Sequence, residues 1–388
     1  MPPTDTTGMK ISLVLPEGSY IQNGELIISE TGGKILLDTI GPPASTINAR
    51  LHTHDTLVDV SLVLQHGYGF SEPRLTITTY KAVNPGSWKS LAGSFQPYWG
   101  QTMKTVGATT LYRDALSYED VQFSTLMNGG VNFDFSPTLV LGVTYATIPG
   151  NTTYLLFPWL GIYLIRTPKS LQDTVLCDTL RRDTAATRNL NSSPNYTLIS
   201  TNLLGVSDST NIYAAARVYY HYNGLAVPIQ LMYPRDRKFQ KYLLESQFAA
   251  SASSREKFYD YKYTDTVDNI IHYPPAYAFV IGAAQNNNFT VTINGAKPAS
   301  YKTIWTNSLV HWEFYASPDS TSLDPLAVLT AQKSKLLQGV DLTGIQLNSF
   351  VAEMVPGYGY AEYMRLLCNS ALLSTVHLPN YSAYTKTF

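Results

Sequence analysis

The stretch YLLFPWLGIYLI, residues 154–165, decides which class of fold the sequence favours. It carries no charge, but it is shorter than the ~20 residues that a helix needs to cross a membrane. Pro158 and Gly161 lie inside it, and both residue types are unfavourable in a helix interior. Short apolar runs are typical of strands buried on both faces, so the stretch predicts two strands around a turn, or one strand with a bulge. The residues expected in this β core are Leu155, Phe157, Ile162 and Leu164.

Alternating apolar and polar residues predict further strands. In FTVTING, residues 289–295, every second residue is apolar, and VHWEF, residues 310–314, has the same pattern. Strand-like runs separated by turn residues recur about every 8–12 residues, which is typical of sandwiches and jelly rolls. The sequence therefore predicts a mainly β protein, built from β-sandwich or jelly-roll domains with a few peripheral α-helices.

Three dipeptides predict tight turns. Asn23-Gly24 and Asn223-Gly224 have the composition of a two-residue hairpin turn, in which both residues adopt positive φ. The second pair is the expected tip of a hairpin over 218–233. Gly32-Gly33 predicts another turn.

Four helices are expected among these strands. The clearest begins with Asp324 as N-cap and Pro325 at its first position, and Gly339 is placed to end it. Ser170 and Asp173 have the spacing of a capping box at the start of another. The four predicted helices lie near 170–183, 237–248, 325–338 and 361–374, and the last has a buried stripe of Tyr363, Leu367 and Ala371.

A segment rich in proline, glycine and serine, residues 81–100, indicates a linker. We therefore expect an N-terminal β-sandwich over 1–90 and a larger jelly-roll-like region over 91–388. An alternative divides that region into two jelly rolls near 235–257.

The composition limits the classes of function. The 388 residues include only 14% charged residues, a formal net charge of −1 and 28 tyrosines. A protein whose main task is to bind nucleic acid has a basic surface, and this balance argues against such a protein. A neutral, tyrosine-rich surface is common on extracellular β-proteins, virus particles and binding modules. The two cysteines, Cys177 and Cys368, cannot form a disulfide framework. We expect small buried side chains there, and one bridge between them stays open.

The N-terminus has no basic segment followed by an apolar core, so no signal peptide is expected. No apolar run reaches 18 residues, so no transmembrane segment is expected either.

The sharpest candidate for a metal site is LHTHD, residues 51–55. On a strand, His52 and His54 would point to the same face, as a pair of ligands does in cupin-like barrels. The only nearby candidates for further ligands, Asp59 and His66, have the wrong spacing. We therefore expect no metal and no cofactor.

No nucleophile elbow, phosphate loop or dinucleotide fingerprint occurs in the sequence. Glu313, between aromatic residues in HWEFY, is the single acid that warrants inspection for catalysis, although an outward position on a strand explains it more simply. No catalytic residue is therefore assigned.

A tyrosine stripe is the best candidate for a binding surface. Tyr259, Tyr261 and Tyr263 would share one face of a strand, where they could line a subunit interface, stack on sugar rings or pack within the chain. A basic cluster at Arg235, Arg237, Lys238 and Lys241 is interpreted as a solvated face.

These observations favour a virion structural protein: a capsid, turret, spike or fibre subunit that assembles into a symmetric oligomer and is not an enzyme. Virion proteins assemble inside the cell and need no signal peptide. The expected partners are copies of itself and other virion proteins, with a host-surface glycan or receptor as a further candidate. No direct contact to nucleic acid is expected. The first alternative is a carbohydrate-binding or adhesin-like β module. The second is a glycan-active enzyme.

Overall fold

Strands dominate the structure, a computed structural model that contains large β-sheets and, in its described part, two short helices. The main prediction, a mainly β protein, is therefore confirmed. The structure describes residues 7–15, 21–53, 55–67, 75–84, 109–114, 119–126, 130–132, 143–145, 153–157, 162–166, 173–176, 181–189, 196–206, 215–222, 230–235, 239–249, 254–267, 278–285, 288–342, 344–367 and 380–388.

The elements are named here in chain order. The first strands are β1 (Thr7–Val14), β2 (Ile21–Glu30), β3 (Ile35–Gly41), β4 (Thr46–Thr53), β5 (Val58–His66) and β6 (Leu75–Val83). The middle strands are β7 (Thr109–Asp114), β8 (Glu119–Leu126), β9 (Gly130–Asn132), β10 (Val143–Tyr145), β11 (Thr153–Phe157), β12 (Ile162–Arg166), β13 (Asp173–Leu176), β14 (Arg181–Asn189), β15 (Thr197–Val206), β16 (Ala215–Tyr222), β17 (Gln230–Pro234), β18 (Lys241–Ala249) and β19 (Glu256–Thr264). The last elements are β20 (Ala278–Gln285), β21 (Asn288–Asn294), β22 (Ser300–Thr306), β23 (Val310–Ala316), β24 (Ser322–Leu323), α1 (Pro325–Gln332), β25 (Gln346–Met354), α2 (Tyr360–Leu367) and β26 (Asn380–Thr387).

The contacts within the chain divide it into two units. Unit 1 combines Met1–Phe95 with Pro274–Phe388, and unit 2 is Gln96–Tyr273. This differs from the predicted division into 1–90 and 91–388, because strands from both ends of the chain share one sheet. In unit 1 the strand order of that sheet is β26-β25-β22-β23-β6-β5-β2-β3. The join between the two chain segments is the parallel pairing of β6 with β23, where Leu75 lies opposite Val310 and Tyr80 opposite Tyr315.

One face of this sheet carries an aromatic core. Trp305, Trp312, Phe314 and Phe350 are buried there. The small sheet β20-β21-β24 packs against them, because the Phe289 ring stacks on Phe350 with centroids 5.7 Å apart. The predicted alternation of 289–295 is confirmed: Phe289 and Val291 are buried, and Thr290 and Thr292 are exposed. The alternation of 310–314 is confirmed in the same way by buried Val310, Trp312 and Phe314.

Helix α1 begins as predicted and ends early. The Asp324 carboxylate accepts a hydrogen bond from the backbone N–H of Ala327, and Pro325 follows it. The helix ends at Lys333, which adopts a left-handed φ of 51°, six residues before the predicted stop at Gly339. Helix α2 confirms the first part of the helix predicted over 361–374, with Tyr363 and Leu367 buried. Ala371 lies outside the described residues.

Strands replace the two other predicted helices. The segment near 237–248 contains β18, which lies between β15 and β19. Leu243 and Leu244, which point to opposite faces of that strand, are both buried. Burial on both faces favours a central strand over a surface helix, which hides only one stripe. The segment near 170–183 contains β13, paired in parallel with β7, and the start of β14. Its β-branched Thr174 and Val175 favour an extended backbone.

The turn predictions have mixed outcomes. The turn at Gly32-Gly33 is confirmed, with a φ of 91° at Gly33. Asn23-Gly24 is not a turn but lies inside β2, where a Cβ on Gly24 would stand only 3.2 Å from the side chain of Leu15. A larger residue at this position would require the side chain of Leu15 to shift slightly. The strands around Asn223-Gly224 do not form a hairpin: β16 pairs with β15, and β17 pairs with β14.

The described residues of the apolar stretch 154–165 form β-strands, as predicted. β11 and β12 are antiparallel, with Phe157 opposite Ile162. The side chains of Leu155, Phe157, Ile162 and Leu164 lie outside the described residues, so their burial stays a prediction. Tyr163, on the other face of β12, is fully buried. Within the described ranges, no helix combines the length and the apolar character needed to cross a membrane.

A buried carboxylate explains the early end of α1. Glu25 of β2 is fully buried and accepts hydrogen bonds from the Ser334 hydroxyl at 2.5 Å, from the Lys335 backbone N–H at 2.7 Å and from the Leu336 backbone N–H at 3.0 Å. These bonds draw the chain after α1 onto the sheet and satisfy backbone donors that a longer helix would have paired internally.

We expect Glu25→Ala to lower the free energy of unfolding by about 3 kcal/mol, because it leaves three donors beside a buried site without their charged acceptor. Urea denaturation measures this loss. Asp319→Ala is the matched control: Asp319 pairs with Lys297 at the surface, and such pairs contribute at most about 1 kcal/mol. Equal losses in the two variants would contradict the anchoring role of Glu25.

Candidate functional site

The candidate site is a cluster of charged and phenolic side chains in unit 1, on the face of the large sheet opposite the aromatic core. Cross-strand pairing assembles it. Lys302 of β22 lies opposite Tyr315 of β23, and Glu313 is two residues from Tyr315 on the same face. Ser300 of β22 lies opposite Glu353 of β25, which brings a second carboxylate onto this face. We call these residues, with His311 and Tyr381, the charge cluster.

Glu313 is the centre of its first half. The Lys302 ammonium donates to Glu313 Oε2 at 3.2 Å, and the Tyr315 hydroxyl donates to the same oxygen at 3.1 Å. His311 Nε2 lies 3.7 Å from Glu313 Oε1. The Lys302 ammonium also lies 5.3 Å from the centroid of the Tyr315 ring, within the range of a cation–π interaction. This part of the cluster reaches the surface only at its rim, where the His311 side chain is 35% exposed and that of Glu313 17%.

Glu353 is the centre of the second half and is fully enclosed. The Ser300 hydroxyl donates to Glu353 Oε2 at 3.0 Å, and the Tyr381 hydroxyl of β26 donates to Oε1 at 3.1 Å. Helix α2 supplies the buried Tyr363 close to this carboxylate. Tyr80 of β6 lies opposite Tyr315 on the neighbouring strand and stacks on it, with ring centroids 5.1 Å apart.

The environment sets the charge states. Burial alone would raise the pKa of Glu313, but the nearby His311, hydrogen bonds from Lys302 and Tyr315, and the charge of Lys302 lower that pKa below its ordinary value. Burial raises the pKa of Glu353, and the charge of Lys302 only partly opposes it. Burial, followed by the charges of Glu313 and Glu353, raises the pKa of Tyr315 well above its ordinary value. Glu313 is therefore a carboxylate and Tyr315 a neutral phenol at neutral pH.

This arrangement suits structural cohesion better than acid–base catalysis. A general acid or base works best with a pKa near the working pH and with access to substrate. Glu313 reaches the surface, but its pKa is lowered; Tyr315 and Glu353 are enclosed. The sequence indicated Glu313 as an acid to inspect, but not its partners, because Glu353 is 40 positions away and joins the cluster only through β-sheet pairing.

The structure describes three of the four residues that were considered as ligands of a cupin-like metal site. His52 is exposed, and His54 lies outside the described residues. Asp59 accepts a hydrogen bond from the Ala82 backbone N–H at 2.9 Å and lies 3.7 Å from the Lys81 ammonium. His66 Nε2 is 3.0 Å from the hydroxyl of Thr76. In the described part of the chain, no three His, Cys, Asp or Glu side chains are grouped so as to hold a metal ion.

The tyrosine stripe lies on β19 in unit 2. Tyr259, Tyr261 and Tyr263 face Gln247, Glu245 and Leu243 of β18, so they share one face, as predicted. Tyr261 is buried, and the other two are partly exposed. Burial, followed by the charge of Glu245, raises the pKa of Tyr259. The role of the stripe as an interface stays a prediction. Of its three residues, only Tyr259 and Tyr263 are exposed enough to contact a partner.

The remaining candidates are only partly described. Arg235 is exposed and Lys241 begins β18, whereas Arg237 and Lys238 lie outside the described residues, as do Cys177 and Cys368. Comparison of the sequence with protein-family models and with curated proteins finds no match.

Proposed function

We propose that the protein is a virion structural protein, a shell, turret, spike or fibre subunit that works by assembling into a symmetric oligomer and not by catalysis. In this proposal its sheets belong to sandwich or jelly-roll domains, the usual building units of such particles. Its partners are copies of itself and other virion proteins.

The observation that carries the proposal is where the charges lie. Charged residues are only 14% of the chain, and several of them are enclosed: Glu25, Asp59, Lys302 and Glu353 are all buried within unit 1. A protein that stays monomeric usually keeps a surface rich in charge. A subunit that covers much of its surface with neighbours needs less surface charge, and enclosed ion pairs hold it in one conformation.

The alternatives differ in what they require. A carbohydrate-binding module needs an accessible aromatic platform, and the stripe on β19 offers only Tyr259 and Tyr263 in partly exposed positions. A glycan-active enzyme needs two accessible carboxylates with different pKa values. In the charge cluster, Glu353 is enclosed and held by Ser300 and Tyr381.

We expect light scattering on the purified protein to give the mass of a closed oligomer that persists on dilution, several times the 43.0 kDa of one chain. Tyr259→Ala and Tyr263→Ala test the stripe, and Tyr358→Ala in unit 1 is a control. A monomer at all concentrations would overturn the proposal. A monomer that binds glycans through Tyr259 or Tyr263 would establish the first alternative.

A further inference from the structure

We propose that strand β20 pairs with β20 of a second copy of this chain across a two-fold axis, which extends the small sheet β20-β21-β24 into the neighbouring subunit. The inference rests on the proposed function and names the surface and partner for one of its contacts. It follows from the position of β20, the chemistry of the face beside it and the symmetry of self-association.

The position of β20 is the first observation. β20 is at the edge of its sheet: its one partner among the described strands is β21. The strand, AFVIGAAQ, has no charged residue. Proteins that remain monomeric usually protect an edge strand with lysine, proline, a bulge or a short length. β20 has no lysine or proline, and its register against β21 is regular from Ala278 to Gly282 and shifts only between Gly282 and Gln285. Val280, at the middle of the described side chains of β20, is 58% exposed, the highest exposure among the large apolar side chains described.

The second observation is the outer face of the small sheet. Register places Val280 opposite Thr292, Gly282 opposite Thr290, and Thr290 opposite Ser322. Val280, Thr290, Thr292 and Ser322 are exposed and uncharged, and Gly282 is partly exposed. The flanking charged residues Lys297 and Asp319 bind each other outside the strands.

Symmetry identifies the partner. A two-fold contact places each patch against the same patch of the other copy, and a residue at the axis meets its own copy, so a charge there would face a like charge. An uncharged edge and face meet this requirement without a complementary partner. Contact with a different protein would not require this surface to be uncharged.

The register that best fits the side chains is centred on Val280. Antiparallel pairing then places Phe279 opposite Ile281 of the second copy on the inner face. Phe279 already packs on Phe350 and Tyr384, with centroids 5.5 and 4.9 Å away. The paired strands would therefore continue the aromatic core of one subunit into the next.

Two variants test this contact. Val280→Lys places like charges together at the axis, so light scattering should show the loss of one two-fold contact and a correspondingly smaller particle. Val280→Cys should give a covalent dimer on mild oxidation, because directly opposed Cα atoms in an antiparallel pair lie about 4.5–5.5 Å apart, within disulfide reach. The controls are Leu57→Lys and Leu57→Cys, since Leu57 is also an exposed apolar residue but belongs to none of the strands of this sheet. Wild-type protein under the same oxidation accounts for the native cysteines.

The outcomes are distinguishable. If Val280→Lys keeps the full mass of the oligomer, or Val280→Cys forms no more covalent dimer than Leu57→Cys, the β20 contact is wrong while the proposed oligomer stands. If the wild-type protein is a monomer, both the β20 contact and the proposed oligomer are wrong. Far-UV circular dichroism of each variant confirms that the fold is retained.

Discussion

Lys302→Met is expected to lower the free energy of unfolding of unit 1 by about 3–5 kcal/mol at neutral pH, because it leaves a charged Glu313 in a largely buried site without its cation. In the wild-type protein, Lys302 donates to Glu313 and its charge also acts on Glu353. Methionine keeps much of the length and apolar volume of the side chain, so the loss reports the missing charge. Urea denaturation at pH 7 measures it.

The pH dependence gives this prediction a second test. A carboxylate whose folded pKa is lowered stabilises the protein above its unfolded pKa, and this stabilisation is lost as the pH falls through the folded value. Glu313 is such a group. The deficit of Lys302→Met should therefore shrink as the pH is lowered to about 4, where carboxylates begin to protonate. Lys297→Met is the control, since Lys297 lies in an exposed pair. A deficit under 1 kcal/mol, or one that is independent of pH, would contradict the role of the cluster.

The second large effect is expected in unit 2. Asp260 of β19 lies opposite Ser246 of β18, and burial raises the pKa of its carboxyl from 3.8 to about 7, with Lys262 only partly opposing the shift. A raised pKa means that the folded state binds the proton more tightly than the unfolded state. Its contribution is therefore fully present below about pH 4 and lost as the pH rises to about 7. A shift of this size corresponds to about 4 kcal/mol.

Asp260→Asn should remove this pH dependence, because the amide is neutral throughout. Hydrogen exchange of the amides of β18 and β19 at several pH values measures local stability in unit 2 separately from unit 1. Relative to wild type, the variant should gain protection as the pH rises from 4 to 8. Asp265→Asn is the control, since Asp265 is an exposed partner of Lys241. The same pH profile in wild type and Asp260→Asn would refute the prediction.

The comparison between sequence and structure separates local from long-range signals. Local chemistry was sufficient for the start of α1 at Asp324, the turn at Gly33 and the alternation of Phe289 and Val291, because neighbouring residues decide these features. Prediction from local sequence was wrong where contacts with distant residues determine the structure. The Asn23-Gly24 pair lies in a strand because β2 pairs there with β3 and β5, and α1 ends early because Glu25 binds the segment after it.

The charge cluster shows the same limit for a site. Glu313 could be noticed because an acid between aromatic residues is unusual. Lys302, Tyr315 and Glu353 have no local pattern that relates them, and their meeting depends on which strands pair in which register. The sequence of 237–248 predicts a helix where the structure has β18, because that strand forms by pairing with β15 and β19, which a local window does not include.

The parallel pairing of β6 with β23 has a consequence for biosynthesis. Trp312 donates to the hydroxyl of Thr79, which is 233 positions earlier in the chain. At translation rates of about 5–20 residues per second, β6 leaves the ribosome roughly 10–50 s before β23 can reach it. The whole of unit 2 is synthesised during that interval. Until β23 is available, the apolar residues of β2, β5 and β6 lack the strand that pairs with β6 in the finished sheet. Unit 1 can therefore be completed only late in synthesis, because its two chain segments are translated before and after unit 2.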